Sequence, residues 1–385
     1  MSNRPKKLIV GITAPPSVDL LIGQLSYFQA QGFDTYLLAP DHERVRAYCE
    51  KEGVPLIPVD IERNLSPLKD IVTVLALVHI FRRHRPDIIN LGTPKISLLG
   101  LIAGFFTRVP LRIYTCRGLR FERESGNFRA LLKILEKVTA ACAHKVFCIS
   151  SSLRDFGIRE KVFRPEKATL IGHGSSNGVN LERFSPTAVK VAEAAKLKAQ
   201  YGLEGHFTFG FVGRLTDIKG ISELYKAFAA LHEQYHNIRF LVIGRPIWDH
   251  IKDPSVIQKM EDHPAIIMVG FQPITKVPKF MKIMDCFVVP TRGEGFGNVY
   301  IEAAGMGLPI IGTDVTGCRD AVSNGYNGIL VKPKDADSLK AAMEELYLNK
   351  EKRITLGENG LEWSKNFHPE IIWKGYVKLF EEPIK

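Results

Sequence analysis

Short apolar runs bounded by glycine or proline alternate with longer amphipathic stretches along the whole chain. This alternation is typical of βαβ units, in which parallel strands form a sheet and helices cover its faces. In the first half, the runs predicted as strands are residues 7–11, 35–39, 88–91, 112–115, 145–149 and 168–171. The stretches predicted as helices are residues 20–31, 44–52, 68–84 and 129–143. The first half is therefore predicted to be one doubly wound domain.

The same alternation begins again in the second half, with predicted strands at residues 207–212, 239–243, 266–269, 286–289 and 309–312. Each half is long enough to bury its own core. We therefore predict an α/β protein of two Rossmann-like domains, residues 1–180 and 181–368, whose sheets face an interdomain cleft. The amphipathic tail, residues 369–385, either packs on the second domain or returns to the first.

Cysteine usage and hydropathy indicate a cytoplasmic protein that does not cross a membrane. The six cysteines are scattered without a CxxC pair, which favours reduced thiols over a disulfide framework or a zinc site. The longest apolar stretches, residues 71–81 and 96–106, have 11 residues each, whereas a spanning helix needs about 20. The early apolar run at residues 8–12 fits a first buried strand better than a signal peptide.

Positive charge is concentrated in the first half of the chain. Residues 1–170 contain 26 Lys and Arg against 16 Asp and Glu, whereas residues 171–385 contain 26 against 25. This asymmetry suits an anionic membrane surface, a nucleic acid or a polyanionic substrate, or it merely keeps the protein soluble. The sequence has no basic recognition helix and no basic strand interleaved with aromatic residues, so nucleic acid is not expected as a partner.

A glycine-rich segment between two predicted elements has the features of a phosphate-side site. A strand ends near residue 290, three glycines follow, and a helix is predicted from Asn298. Glycines at a helix start let backbone amides approach an anion, which the helix dipole also favours. Glu294 and Glu302 lie eight residues apart in this segment. They are either solvated surface acids or carboxylates that bind sugar or ribose hydroxyls.

A second segment, residues 213–220, presents two cations between a strand and a helix. The predicted strand turns at Gly213, and Arg214 and Lys219 follow before the helix. An Arg that binds in a bidentate manner and a Lys that acts as a point charge are what a diphosphate requires. Alone, the pair is equally compatible with a solvated surface; beside the acidic segment of the same domain, it indicates a diphosphate site.

These two segments together resemble glycosyltransferase family 4, the retaining class with the GT-B fold. The matching features are E-x7-E from Glu294 to Glu302 and GR-L-x-x-x-K-G from Gly213 to Gly220, in the family's order. The resemblance implies that Arg214, Lys219 and Glu294 are catalytic and that Glu302 binds the ribose of the donor. It also implies further donor contacts at Gly213, Gly295, Phe296, Gly297, Asn298 and Val299.

Three other segments resemble the CapM- and PglA-like branch of that family: residues 116–122, residues 174–184 and the pair Gly297-Asn298. This likeness implies a UDP-sugar donor, often N-acetylated, and a polyprenyl-diphosphate-linked sugar acceptor in capsule, O-antigen or related polysaccharide assembly. Many members of the family have a histidine where Arg117 stands, and it stays open whether Arg117 takes over that sugar contact. The candidates for acceptor or phosphate contacts are Thr13, Ser17, Arg117, Arg120 and Asn177.

The resemblance implies a retaining transfer, and the motifs hold no compelling pair of carboxylates for double displacement. We predict that the reaction needs neither a metal nor a cofactor, because the motifs hold no Asp-x-Asp element. The basic first domain is expected to place the enzyme peripherally on the inner face of the cell membrane, with residues 96–106 as either an apolar docking surface or an ordinary buried helix. The alternatives are a UDP-sugar 2-epimerase of GT-B architecture and, in another class, a basic nucleic-acid-binding protein. The motifs specify neither the donor sugar, nor the linkage, nor the oligomeric state.

Overall fold

The structure is a computed structural model that describes residues 4–62 and 66–382. The chain divides into two units, one formed by the residues up to Gly178 together with the segment from Pro369, the other by Val179–His368. Each unit contains one sheet, and every strand pairing recorded in the two sheets is parallel. The predicted α/β class with two Rossmann-like domains is therefore confirmed.

The first unit is built around a seven-stranded sheet. Its strands are β1 (Lys7–Gly11), β2 (Asp34–Ala39), β3 (Leu56–Pro58), β4 (Ile88–Leu91), β5 (Leu111–Cys116), β6 (Lys145–Cys148) and β7 (Ala168–Thr169). Its helices up to the unit boundary are α1 (Gln24–Ala30), α2 (Glu43–Glu52), α3 (Pro67–His84), α4 (Pro94–Phe106), α5 (Gly126–Cys142) and α6 (Ser151–Arg159). The strand order is β3-β2-β1-β4-β5-β6-β7.

The second unit is built around a six-stranded sheet. Its strands are β8 (Phe207–Val212), β9 (Ile238–Ile243), β10 (Ile266–Gly270), β11 (Cys286–Val288), β12 (Ile310–Thr313) and β13 (Gly328–Val331), in the order β10-β9-β8-β11-β12-β13. Its helices are α7 (Val191–Gln200), α8 (Ile221–His232), α9 (Ser255–Asp262), α10 (Val277–Met281), α11 (Asn298–Gly305), α12 (Cys318–Ala321), α13 (Ala336–Leu348) and α14 (Lys350–Ser364).

Every strand predicted from the sequence is present, with ends that differ by at most two residues. The sequence did not predict β3 and β13, because these runs are only three and four residues long and contain proline or glycine. The predicted helix at residues 20–31 is shorter in the structure, where α1 begins at Gln24 and follows a 3-10 turn, Pro15–Leu20. Between residues 4 and 62 and between 66 and 382, no helix is both long enough and apolar enough to cross a membrane.

The apolar stretch at residues 96–106 forms most of α4, and of the two alternatives for it the structure supports a helix that is largely buried. Ile96, Leu99 and Leu101 are buried, and α4 packs against both α3 and α5. A helix that is apolar on all sides is an internal element, which is what the uniform hydrophobicity of α4 reflects. Within residues 96–106, only Phe105 and Phe106, at the carboxyl end of α4, are exposed.

The last helix, α15 (Pro369–Glu381), belongs to the first unit and completes its core. Tyr376 is fully buried, with its ring centroid 5.8 Å from that of Phe28 and 4.9 Å from that of Phe147. Its hydroxyl lies 3.2 Å from the hydroxyl of Thr115 on β5. The helix therefore covers a face of the first sheet with an aromatic cluster.

We predict that Tyr376→Ala in the full-length chain lowers the free energy of unfolding by about 3–5 kcal/mol, the usual cost of deleting a large buried ring. Tyr376→Phe keeps the ring and removes one hydrogen bond, so it should cost only about 1 kcal/mol. Urea unfolding monitored by circular dichroism measures both values. Equal, small losses for the two variants would show that α15 does not complete the core.

Candidate functional site

The two segments singled out in the second half lie against each other at the carboxyl edge of the second sheet. β8 and β11 are neighbouring parallel strands, so the loops that follow them leave the sheet side by side. The carbonyl oxygen of Ile218 accepts hydrogen bonds from the Arg292 amide at 2.6 Å and from the Thr291 hydroxyl at 2.9 Å. Gly220 has a φ of 71°, and a Cβ there would lie 2.1 Å from the carbonyl oxygen of Pro290. Only glycine permits this approach.

The close approach of the loops brings Lys219 and Glu294 into an ion pair. The Lys219 ammonium donates to Oε1 of Glu294, and the two side chains are 14% and 24% exposed. One cation and one carboxylate that belong to separate sequence motifs thus form a single, partly buried site. Arg214, the other predicted cation, lies on the same loop as Lys219 and is exposed to solvent.

A second ion pair, which the sequence analysis did not single out, joins the same elements. Nη2 of Arg292 donates to Oε1 of Glu223 on α8 at 2.5 Å. Within the described residues, Nε of Arg292 and Oε2 of Glu223 are buried without a hydrogen-bond partner. The only signal in the sequence was the position of Arg292 beside the glycine-rich run. This pair fixes the base of the loop that carries Glu294.

Buried aromatic side chains hold the glycine-rich loop in place. Phe296 is buried, with its ring centroid 5.1 Å from that of Phe367, and the buried Tyr300 donates to the carbonyl oxygen of Val289 at 2.7 Å. Gly297 caps α11 with a φ of 82°, and a Cβ there would lie 2.7 Å from the Tyr300 ring. The Phe296 side chain therefore points into the core, so contact with a ligand is left to the backbone of the loop and the amino end of α11.

Glu302 lies on α11 in an environment that disfavours its charge. Burial raises the pKa of Glu302 to about 7, and the positive charge of Arg183 opposes this shift. Arg183 belongs to the same unit and was not singled out as a site residue from the sequence. A carboxylate whose pKa is displaced by burial and that has a charged neighbour is typical of functional sites.

In the first unit, Arg117 lies just beyond the carboxyl end of β5 and is held by the neighbouring strand end. Its Nη1 donates to the carbonyl oxygen of Gly92, which follows β4. A Cβ at Gly92 would lie 1.7 Å from this Nη1 atom, so the missing side chain makes room for the guanidinium. Within the described residues, Nε of Arg117 is buried without a hydrogen-bond partner. The structure thus fixes one cation at the carboxyl edge of the first sheet.

The structure gives Thr13 and Asn177 roles in packing. The Thr13 hydroxyl lies 2.7 Å from that of Thr93 and accepts from the Ile96 amide at 3.1 Å, which fixes the start of α4. Oδ1 of Asn177 accepts from the Trp373 indole at 2.7 Å and from the Gln24 amide at 3.2 Å. Acceptor or phosphate contacts of these two residues stay predictions.

The other two predicted contacts of the first unit, Ser17 and Arg120, lie in short 3-10 turns. Ser17 is half-buried, whereas Arg120 is exposed, forms an ion pair with Glu124 at 3.5 Å and lies 5.3 Å from the ring centroid of Phe128. Across residues 4–62 and 66–382, no group of three or more His, Cys, Asp or Glu side chains is arranged to hold a metal ion.

Comparison with known families agrees with this arrangement of the two units. Residues 23–174 match the family model described as glycosyl transferase 4-like domain, and residues 193–363 match the model described as glycosyl transferases group 1. The second match contains both loops and α11. The two halves of the chain thus carry the two domains of one enzyme class.

Three relatives match most of the chain. The capsular polysaccharide biosynthesis glycosyltransferase CapM of Staphylococcus aureus is 32% identical over 99% of this chain and 98% of its own length. UDP-Gal:alpha-D-GlcNAc-diphosphoundecaprenol alpha-1,3-galactosyltransferase of Escherichia coli is 27% identical, over 81% and 79%. N,N'-diacetylbacillosaminyl-diphospho-undecaprenol alpha-1,3-N-acetylgalactosaminyltransferase of Campylobacter jejuni is 23% identical, over 91% and 92%.

Among solved structures, HepE of Anabaena in complex with UDP superimposes with a TM-score of 0.79 over 97% of this chain and 99% of its own, at 20% identity. This likeness shows the fold. Because both halves match the family models and CapM is similar over nearly the full length, the chain belongs to the group 1, or family 4, glycosyltransferases of GT-B fold.

Proposed function

We propose that this glycosyltransferase moves a sugar, an N-acetylated hexosamine being our first candidate, from a UDP-sugar to a polyprenyl-diphosphate-linked glycan with retention of configuration. It would act in the assembly of a capsule, an O-antigen or a related polysaccharide. The observation that carries the proposal is the Lys219–Glu294 pair beside the amino end of α11. The names of the relatives support it, because two of them describe diphospho-undecaprenol acceptors and one of these also names a UDP-sugar donor.

The donor would bind along the interlocked loops of the second unit. Lys219 and Arg214 offer two positive charges to the diphosphate, and the amides from Gly295 to Val299 add the positive end of α11. A phosphate held by the Lys219 ammonium would bring the attached sugar within reach of the Glu294 carboxylate, since the two groups are already in contact. Glu302, further along α11, would accept hydrogen bonds from the ribose hydroxyls.

In the proposed reaction, the bond between the anomeric carbon and the diphosphate oxygen breaks, and its electron pair stays on UDP. The acceptor hydroxyl oxygen bonds to the anomeric carbon from the same face, and its proton passes to an oxygen of the departing phosphate. Negative charge therefore grows on the diphosphate in the transition state. Arg214 and Lys219 stabilise that charge without a metal ion, and the fixed loops avoid reorganisation during the reaction.

The acceptor would bind at the first unit, where Arg117 presents a positive charge to its diphosphate or sugar. The excess of basic residues before position 170 suits a substrate that carries a diphosphate and resides in an anionic membrane. The enzyme would therefore work in the cytoplasm as a peripheral protein on the inner face of the cell membrane.

The direct test is a panel of UDP-sugars assayed for UDP release with chelator present, with and without a membrane lipid extract. Acceptor-dependent release from one donor is the expected result. Turnover of a UDP-sugar without any acceptor would instead indicate a 2-epimerase. Retention on nucleic acid without UDP binding would indicate the nucleic-acid-binding alternative.

The raised pKa of Glu302 predicts a pH dependence of donor use. Only the ionised carboxylate accepts hydrogen bonds from both ribose hydroxyls, so kcat/KM for the UDP-sugar should rise as the pH increases through about 7. The diphosphate of a UDP-sugar stays ionised over this range and adds no inflection. Glu302→Gln should remove the inflection and lower kcat/KM above it by roughly 10- to 100-fold, mainly through KM. An unchanged inflection in Glu302→Gln would assign it to another group.

Because the Arg117 guanidinium occupies the space beside Gly92, a methyl group added at Gly92 should displace Arg117. Arg117→Ala and Gly92→Ala should each raise the acceptor KM by roughly 10-fold or more, the scale of one charged hydrogen bond, and leave the donor KM unchanged. The double variant should be no worse than Arg117→Ala alone. Gly360→Ala is the matched control, because a Cβ there meets Ala304 at an ordinary 3.5 Å. Additive losses would show that Gly92 acts independently of Arg117.

A further inference from the structure

Exposed apolar side chains are concentrated on the helices that cover one side of the first sheet. Of the twenty large hydrophobic side chains that are exposed in the described part of the chain, ten lie on α3, α5 and the end of α4. Leu68 is 81% exposed, Val72 66% and Ile134 58%. We define the docking face as ten exposed side chains. They are Leu68, Ile71, Val72 and Leu75 on α3, Phe105 and Phe106 at the end of α4, and Phe128, Leu131, Ile134 and Val138 on α5.

These side chains form one stripe on each helix. On α3 their spacing is i, i+3, i+4 and i+7, and on α5 Phe128, Leu131, Ile134 and Val138 follow the same helical period. The inward side of α3 is apolar as well, since Leu77 and Phe81 are buried. α3 thus has apolar side chains that face the core and a separate apolar stripe that faces solvent, whereas the buried residues of α5 are Thr139 and Ala140. Packing in the core does not explain the exposed stripes.

The three helices share one side of the sheet. α3 connects β3 to β4, α4 connects β4 to β5, and α5 connects β5 to β6. All three connections run in the same direction across the sheet. Because connections between parallel strands are right-handed, the three helices lie on the same face. α4 packs against both α3 and α5, which puts the two exposed stripes on either side of it. The docking face is therefore one extended surface of the first unit.

The exposed charges around this surface are mostly positive. Between residues 66 and 142, all of which the structure describes, no acidic residue is among the exposed ones. Glu136 is half-buried, and Asp70 is paired with Lys95. The exposed basic residues of the same stretch are Lys69, Arg82, Arg83, Arg85, Arg108, Arg120, Arg123 and Lys137. Two exposed acids, Asp60 and Glu62, lie just before α3, and Glu62 forms an ion pair with Lys69 at 3.1 Å. The exposed charges around the apolar surface are therefore predominantly cations, which makes it complementary to an anionic lipid surface.

We infer that the docking face inserts into the outer part of an anionic bilayer, with the α3 and α5 side chains at the level of the acyl chains and the basic residues at the phosphates. A second copy of this chain fits the face less well, because a symmetric contact would set the same cations opposite each other. Since the acceptor proposed above is carried by a lipid, this choice of partner rests on the proposed function. It places the site of attachment mainly on the helices on either side of α4, the helix that the sequence left as either a docking surface or a buried element.

The test uses the full-length protein and sedimentation with vesicles of phosphatidylcholine, with and without phosphatidylglycerol. The docking variant combines Ile71→Ser, Leu75→Ser, Leu131→Ser and Ile134→Ser, all at exposed positions, so folding should be kept and is checked by thermal unfolding. The control combines Val191→Ser, Leu348→Ser and Ile354→Ser, which remove exposed apolar side chains from the second unit. We expect the wild type and the control to bind anionic vesicles, and the docking variant to bind at least about 10-fold more weakly at equal salt.

Equal vesicle binding by the docking variant and the wild type would overturn the inference, and so would a wild-type dimer that becomes a monomer in the variant. UDP release measured with an acceptor of short, water-soluble chain separates this result from the proposed function. Normal release together with unimpaired vesicle binding in the variant would refute only the docking face. Vesicle binding that the variant loses, without release from any UDP-sugar in the wild type, would refute only the proposed reaction.

Discussion

The contact between the backbone at Gly220 and the carbonyl of Pro290 is the constraint on which the candidate site depends. A side chain at position 220 would overlap that carbonyl, and without the approach the Ile218 carbonyl would lose its two hydrogen bonds to the opposite loop. Two ion pairs join the same elements. Lys219, just before α8, pairs with Glu294, and Glu223, on α8, pairs with Arg292; Glu294 and Arg292 both lie on the loop after β11. A glycine therefore determines where the charged groups of two motifs meet.

Fixed loops matter because a retaining transfer of the proposed kind uses few protein groups as acids or bases. Its catalysis depends on placing positive charge where the diphosphate becomes more negative, and such stabilisation is largest when the groups do not move. Phe296 and Tyr300 below the loop, and the ion pairs beside it, supply that rigidity. In the first unit, one cation is likewise fixed by the backbone, since the Arg117 guanidinium donates to the carbonyl oxygen of Gly92.

The sequence predicted most strands, the two-unit architecture and the residues of both motifs, because strand periodicity and glycine-rich loops are local signals. It could not predict that Lys219 and Glu294 contact each other, since the register of neighbouring loops depends on tertiary packing. It did not indicate Arg292 and Glu223 as partners for the same reason. It left open whether residues 96–106 form a docking surface or a buried helix, because hydropathy alone does not tell which helix is covered. The structure buries most of α4 and exposes one apolar stripe each on α3 and α5.

The central claim is that the interlocked loops place Arg214 and Lys219 to stabilise the departing diphosphate, and kcat of purified variants tests it most directly. Arg214→Ala and Lys219→Ala should each lower kcat by about 100-fold or more, the scale seen when one preorganised transition-state contact is removed. Lys259→Ala, at an exposed position on α9, is the matched control and should leave kcat unchanged. Folded Arg214→Ala and Lys219→Ala enzymes with near-normal kcat would contradict the assignment of the diphosphate site.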